Sequence, residues 1–173
     1  MTRLTVPVGP ADHIQGAADA PIVMVEYGDF ECPYCGRMYL VIKNLQQALG
    51  PRLAVVFRHF PLVDMHPHAG AAALVSEAAG QAGKFWAMHD RLYENQSALE
   101  DEDLLRYARD LGVPDALTQR AFAGDFESKV EADFRGGMHS GVNGTPTLFL
   151  NGTRYDGEPD TASLLNAMKR LLR

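Results

Sequence analysis

Two cysteines are the chain's whole supply, and they stand two residues apart in Phe30-Glu31-Cys32-Pro33-Tyr34-Cys35-Gly36. A disulfide across so short a loop adds little to stability, because the entropic effect of a cross-link grows with the loop it closes. The pair therefore reads as chemistry. Only a thiolate attacks a disulfide, and a cysteine at a helix start faces unpaired N–H groups and the positive end of the dipole. Such surroundings bring a thiol pKa from about 8.5 to somewhere in ~3.5–7.5. On this reading Cys32 is the accessible, low-pKa nucleophile, and Cys35, one turn further in, is the shielded thiol that resolves the mixed disulfide. Pro33 suits the first helical position, since it has no N–H to leave unpaired. Cys-x-x-Cys is also half of a zinc site, but no second cysteine pair follows. His59, His66 and His68 read as loop and helix-start residues, and neither a metal nor another cofactor is expected.

The elements that must position this pair are legible around it. Ile22-Val-Met-Val-Glu-Tyr27 is an apolar, β-branched run ending at Gly28-Asp29, the pattern of a strand buried on both faces. Glu26 is the acid within it. A carboxylate is costly to bury, so Glu26 either turns to solvent or is kept to handle a proton, and six residues before Cys32 it can lie beneath the site. From about Pro33, Met38, Val41, Ile42, Leu45 and Leu49 fall at helical steps of three and four, and Gly50-Pro51 stops the helix. Leu53-Ala-Val-Val-Phe57 is a second strand, giving a βαβ unit with the cysteines at its first turn.

Between 66 and 140 the pattern turns helical. A small-residue stretch runs from Pro67 to Gly83 and an aromatic one from Lys84 to Asn95, with Phe85 and Trp86 as core residues. Leu104, Leu105, Ala108 and Leu111 mark a third helix closed by Gly112, Pro114 opens a fourth at its first helical position, and Phe126 to about His139 supplies a fifth. Strand signals resume at Thr147–Leu150 and Thr153–Tyr155 around Asn151-Gly152, a type I′ hairpin dipeptide, before a final helix capped by Asp160 or Thr161. The expected architecture is α/β: residues 1–65 and 141–173 form one unit, and 66–140 form an all-helical subdomain inserted into it.

Composition narrows the function classes. Of 173 residues, 46% are hydrophobic and 22% charged, a globular balance, and the net charge of −6 comes without a basic stripe, which argues against nucleic acid as a partner. The acidic run Glu100–Asp103 reads as a solvated first helical turn. No stretch nears the ~20 apolar residues of a membrane span. The first residues hold no apolar segment of signal-peptide length, so the chain as given is expected to be cytoplasmic, or periplasmic or extracytoplasmic if a leader has been removed.

The combination of Val25-Glu26-Tyr27-Gly28-Asp29-Phe30-Glu31-Cys32-Pro33-Tyr34-Cys35, the helical stretch with Lys84-Phe85-Trp86-Ala87-Met88-His89, and Gly141-Val142-Asn143-Gly144-Thr145-Pro146-Thr147 closely resembles the DsbA-like proteins of the thioredoxin fold. The resemblance implies a thiol–disulfide oxidoreductase acting on protein thiols and disulfides together with a redox partner that recycles it. It implies catalytic roles for Cys32, Cys35 and Glu26. It also implies a substrate site bordered by Pro33, Tyr34, Thr145 and Pro146, with Pro146 in cis and Thr145 offering backbone to an extended substrate. Tyr34 departs from the histidine that the best-studied oxidants of the family carry there, so strong oxidising power does not simply carry over. Alternative readings are a glutathione-linked thioredoxin-fold enzyme, glutaredoxin-like or of the kappa transferase type, and a non-catalytic binding or holdase module.

Overall fold

The computed structural model describes residues 2–17 and 19–173. Strands β1 (His13–Gln15), β2 (Ile22–Gly28) and β3 (Leu53–His59) enclose helix α1 (Pro33–Leu49) and a 3-10 turn at Gly50–Arg52. Five helices follow: α2 (Ala69–Gln81), α3 (Phe85–Glu94), α4 (Asp101–Asp110), α5 (Asp115–Phe122) and α6 (Glu127–His139). The hairpin β4 (Thr147–Leu150) and β5 (Thr153–Tyr155) leads into α7 (Thr161–Leu171). The sheet order is β1-β3-β2-β4-β5, with β2 and β3 parallel and the remaining pairs antiparallel. This is the thioredoxin fold with a helical insert.

Strand alternation sorts the core into layers. Ile22 and Met24 of β2 pack with Met38, Ile42 and Leu45 of α1 and with Leu164 and Met168 of α7. Val25 and Tyr27 point the other way, toward Val56, Phe149 and Phe60 and, behind them, Phe134 of α6. A third cluster joins Phe30, Cys32, Cys35 and Phe57 to the apolar faces of α2–α5. The cysteine turn thus sits where the sheet, α1 and the helical insert meet.

Local signals explain the element ends. Asn151 and Gly152 both take positive φ (46° and 78°), as the hairpin dipeptide requires. Asp160 accepts the Ser163 N–H at 2.9 Å and caps α7, while Glu100 and Asp103 form a capping box at the start of α4. Two expectations need correction, and one element was not foreseen. Pro114 is the residue before α5, not its first helical residue, because its ψ of 136° is extended although its φ of −58° suits a helix. β3 runs on to His59, which is therefore a buried strand residue and not part of a loop. Strand β1 had no signal, since three residues are too few to show alternation; pairing with Phe57, Val56 and Val55 decides it.

That edge strand is held by buried charge. Arg58 in β3 pairs through Nε and Nη2 with both Asp12 oxygens at 2.8 and 2.9 Å, and its remaining donors reach the Val6 and Pro7 carbonyls and the Tyr27 hydroxyl. Beside it, the Nε2 atoms of His13 and His59 both lie 2.7 Å from one Glu77 oxygen on α2. These are hydrogen-bond spacings.

Removing the guanidinium leaves Asp12 buried without a counter-charge, so Arg58→Met should cost ~3–5 kcal/mol in urea unfolding. Arg58→Lys should recover only part of it, because an ammonium cannot reproduce the planar fork. Equal stability of the Met variant and the parent would show that the pair does not hold the N-terminal segment.

Candidate active site

Cys32 occupies the residue before α1 with extended backbone (φ −69°, ψ 122°), and Pro33 opens the helix, as the sequence predicts. Both cysteines are free thiols. Cys35 is fully buried, and Cys32 keeps only 3% of its surface, so the nucleophile is more enclosed than its expected accessibility implied.

The two sulfurs are electrostatically unequal. Cys32 is pulled down from 9.0 to about 5: foremost by the hydrogen bond from the Cys35 side chain, against burial, and then by Thr145 and the N–H groups of Cys35 and Tyr34. Burial pushes the Cys35 thiol well above its usual range, helped by its bond to Cys32 and the charge of Glu26. One sulfur ionises easily and the other stays protonated.

The Thr145–Pro146 peptide is cis, as the resemblance implies. In the thiol form Cys32 Sγ points at the Thr145 carbonyl, 3.5 Å away. Thr145 Oγ1 is buried and has no hydrogen-bond partner. A thiolate can only accept, so on ionisation this free hydroxyl is the group suited to turn toward the sulfur.

Glu26 shares the β2 face of Ile22 and Met24, the face covered by α1, and is 1% exposed. Its Oε1 has no partner. Burial, and then the charge of Cys32, raise its pKa from 4.5 to about 8. At neutral pH it is an uncharged acid behind the cysteine pair.

Sequence reasoning missed the groups that shape the turn. Asp29, fully buried, accepts the N–H of Glu31 at 2.8 Å and of Cys32 at 3.2 Å through Oδ1, and the N–H of Leu62 and the His66 ring through Oδ2. An aspartate bonding to N–H groups two and three residues on is an Asx turn, a signal that Asp29-Phe-Glu-Cys32 did carry. From beyond the end of α3, the Gln96 side chain donates to the carbonyls of Phe30 and Cys32, both at 2.9 Å. Gln96 lies 64 residues from Cys32, and nothing local marks it.

On the outer side, a groove of about 540 Å³ runs between α1, the Thr145–Pro146 loop and the start of α7. Tyr34, Met38, Val41, Pro146 and Pro159 give it an apolar lining. Tyr34 is 62% exposed, with the Arg37 guanidinium 4.5 Å over its ring.

Alkylation of the reduced protein should label Cys32 first, with a midpoint near pH 5, and leave Cys35 unmodified until unfolding; first labelling at Cys35 would reverse the assignment. Because the folded pKa of Cys32 is depressed, its ionisation stabilises the reduced fold above the unfolded thiol range, an effect lost as pH falls through about 5. Glu26 has the opposite sign. Its raised pKa makes the native state hold a proton that the unfolded chain has released, so its contribution falls as pH rises from ~4.5 to ~8. Glu26→Gln should abolish that decline, a gain of at most ~5 kcal/mol at the alkaline end by the 1.36 kcal/mol per pKa unit rule. Urea midpoints of parent and variant at pH 5.5 and 8.5 measure it; parallel profiles would mean that Glu26 is not held protonated.

Comparison with known proteins bears on the fold. A family model described as thioredoxin matches residues 9–170. A curated relative, the Na(+)/H(+) antiporter NhaA 1 of Mycolicibacterium vanbaalenii, is 43% identical over 171 residues, covering 96% of this chain but only 28% of that protein. The chain thus spans about a quarter of the length of such relatives, and no helix among its described residues is long and apolar enough to cross a membrane. Among solved structures, oxidised BdbD from Bacillus subtilis superposes with a TM-score of 0.87 at 22% identity, covering 99% of this chain and 98% of BdbD. The thiol-disulfide exchange protein alpha-DsbA2 from Wolbachia pipientis gives 0.81 at 19%, covering 94% of this chain and 88% of that one. With its five helices between β3 and β4 and its match along nearly the whole length, the chain belongs to the thioredoxin family and has the DsbA-like form of its fold.

Proposed function

We propose that this chain is a thiol–disulfide oxidoreductase exchanging disulfides with protein substrates through Cys32 and Cys35. The observation that carries the reading is the asymmetry of the pair: a thiol near pKa 5 at a helix start, in contact with a buried thiol held well above its ordinary value. Structural cysteines have no need of that difference. The antiporter name belongs to much longer polypeptides, and the redox reading rests on residues of this chain.

In the reducing direction, the Cys32 thiolate attacks one sulfur of a substrate disulfide, forming a mixed disulfide and expelling the other sulfur as a thiolate. Cys35 then loses its proton, attacks Cys32 Sγ, and expels the second substrate thiolate. The substrate gains two electrons and two protons, and the protein is left with the Cys32–Cys35 disulfide. Oxidation of a dithiol is the same sequence in reverse. Glu26 is the proton-handling group for the Cys35 step, because an acid with pKa about 8 exchanges a proton near neutrality. In the oxidising direction the second substrate thiolate attacks the substrate sulfur of the mixed disulfide and expels Cys32, and the lower-pKa thiol is the faster leaving group.

Substrate lies along the groove beside Pro33, Tyr34, Thr145 and Pro146. The backbone of Thr145 pairs with an extended segment, and the apolar lining takes side chains without a strict sequence demand. Residues 1–65 and 141–173 are assigned to the catalytic unit and 66–140 to the helical unit that walls it, and the Gln96 bonds to the turn support that walling role. A separate redox protein recycles the pair. Location follows direction: a net oxidant works in an oxidising extracytoplasmic compartment, and a net reductant in the cytoplasm.

Reduction of insulin by dithiothreitol tests the reading. Cys32→Ser should lower the catalysed rate by at least ~100-fold, the cost of losing a nucleophile. Cys35→Ser should retain attack and accumulate a mixed disulfide on Cys32, visible by mass. A double Ser variant as active as the parent would remove the oxidoreductase reading.

A further inference from the structure

The loop from β3 to α2 carries two histidines, and each grips a carboxylate in the stretch leading to the nucleophile. His68 Nδ1 lies 2.8 Å from Glu31, which also accepts the His68 N–H at 2.7 Å, and its Nε2 reaches Glu100 at the start of α4 at 3.3 Å. His68 is thus shared between two carboxylates. His66 differs. Its Nδ1 lies 2.8 Å from Oδ2 of Asp29, a side chain with no exposure, while the ring itself is 15% exposed. The other oxygen of that carboxylate accepts the N–H of Cys32. A single side chain therefore separates the His66 ring from the backbone of the nucleophile.

Charge gives this arrangement a consequence. A buried carboxylate bonded to the backbone of Cys32 opposes a second negative charge on its sulfur, whereas an imidazolium bonded to that carboxylate cancels the opposition. The charged and titratable groups around His66 are Asp29, Glu31 and Cys32 from the turn, His68 from its own loop, and Glu100 from α4 by way of His68. Burial disfavours a charge on His66, yet the bond to Asp29 and the charges of Asp29, Cys32 and Glu31 outweigh it and hold the ring above its ordinary pKa.

We propose that His66 is a positioning residue of the thiol pair: docked on Asp29, it neutralises the buried carboxylate behind Cys32 and so sets how readily that sulfur ionises and leaves. Resting on the oxidoreductase reading, the inference adds that the loop after β3 tunes the redox pair, in a chain whose Cys-Pro-Tyr-Cys segment has no cation between its cysteines. Coupling of this kind is reciprocal. His66 should therefore titrate at higher pH in the dithiol protein than in the disulfide protein, which has no thiolate.

The test uses the whole chain as parent, His66→Asn and His66→Ala. Asparagine keeps a donor for Asp29 and removes the charge, and alanine removes both. Cys32 ionisation is followed by thiolate absorbance against pH, and the reduction potential is measured against a glutathione buffer. In His66→Asn the Cys32 ionisation constant should fall three- to tenfold and the pair should become more reducing; a tenfold change in the redox equilibrium is about 30 mV. In ring-proton NMR of the parent, the His66 midpoint should fall on oxidation. An unchanged Cys32 midpoint in folded His66→Asn, or a His66 midpoint indifferent to redox state, overturns the proposal and assigns His66 to loop packing. If alanine at this site prevents folding, the asparagine variant and the parent NMR titration still decide. A Cys32 that titrates as an ordinary thiol in the parent itself sinks the oxidoreductase reading along with the inference, an outcome separable from the variant results.

Discussion

A negative charge placed where only 3% of the sulfur's residue meets solvent is the constraint around which the site is organised. Water cannot stabilise the Cys32 thiolate there, so hydrogen-bond donors must: the Cys35 side chain first, then Thr145 and the N–H groups of Cys35 and Tyr34. The enclosure accommodates that one charge and disfavours others. Glu26 is raised to about 8 and Cys35 is raised further, each partly by the charge of its neighbours. Three acids in one buried pocket thus share roughly one ionisation at neutral pH, and the proposed exchange would move it among them.

Such a pocket needs walls from more than one unit of the chain. α1 supplies the dipole and both sulfurs, β2 supplies Glu26, and the Thr145–Pro146 loop closes one side. The helical insert closes the other: Gln96 bonds to two carbonyls of the turn, and the Tyr93 hydroxyl lies 3.4 Å from the Asp29 carbonyl. Phe30 anchors the turn from within, stacked on Phe57 at 5.0 Å and 5.1 Å from the Tyr93 ring. Aromatic packing of this kind fixes ring positions at low entropic cost, so the backbone on either side of Phe30 is held in one conformation. The insert is part of the site's construction.

Periodicity and punctuation made most elements legible, because each signal is local. The steps from Met38 to Leu49, the Asn151-Gly152 turn and the Asp160 cap of α7 act over a few residues, and the structure uses each one. Cys32 before α1 was legible for the same reason. What escaped depends on contacts distant in sequence. β1 is three residues long and exists through its pairing with β3; His59 is buried because that strand runs two residues past its last obvious apolar position. Gln96 and His66 carry no periodic signal, and only folding brings them to the turn, whereas Asp29 offered a local Asx-turn signal that went unread. Glu26 lies between these cases: an acid in an apolar strand signals cost, whereas the face it occupies follows from counting in twos from Ile22 and Met24.

Enclosure also dictates how a substrate must arrive. A sulfur so little exposed cannot be reached by a bulky folded surface, and an attack on a disulfide needs its sulfurs brought close to Cys32 Sγ. The groove beside the cysteine turn has Tyr34 and Pro146 in its lining. A chain that can enter is one whose local backbone is extended, so that its disulfide projects while its main chain runs past Thr145. The same burial that lowers selectivity for side chains, by leaving backbone as the near surface, raises selectivity for conformation. Under the proposed exchange, unfolded or loop-borne disulfides would satisfy that demand and cross-links packed inside a finished domain would not. Under the proposed disulfide exchange, the low exposure of Cys32 would itself favour incompletely folded substrates over finished domains.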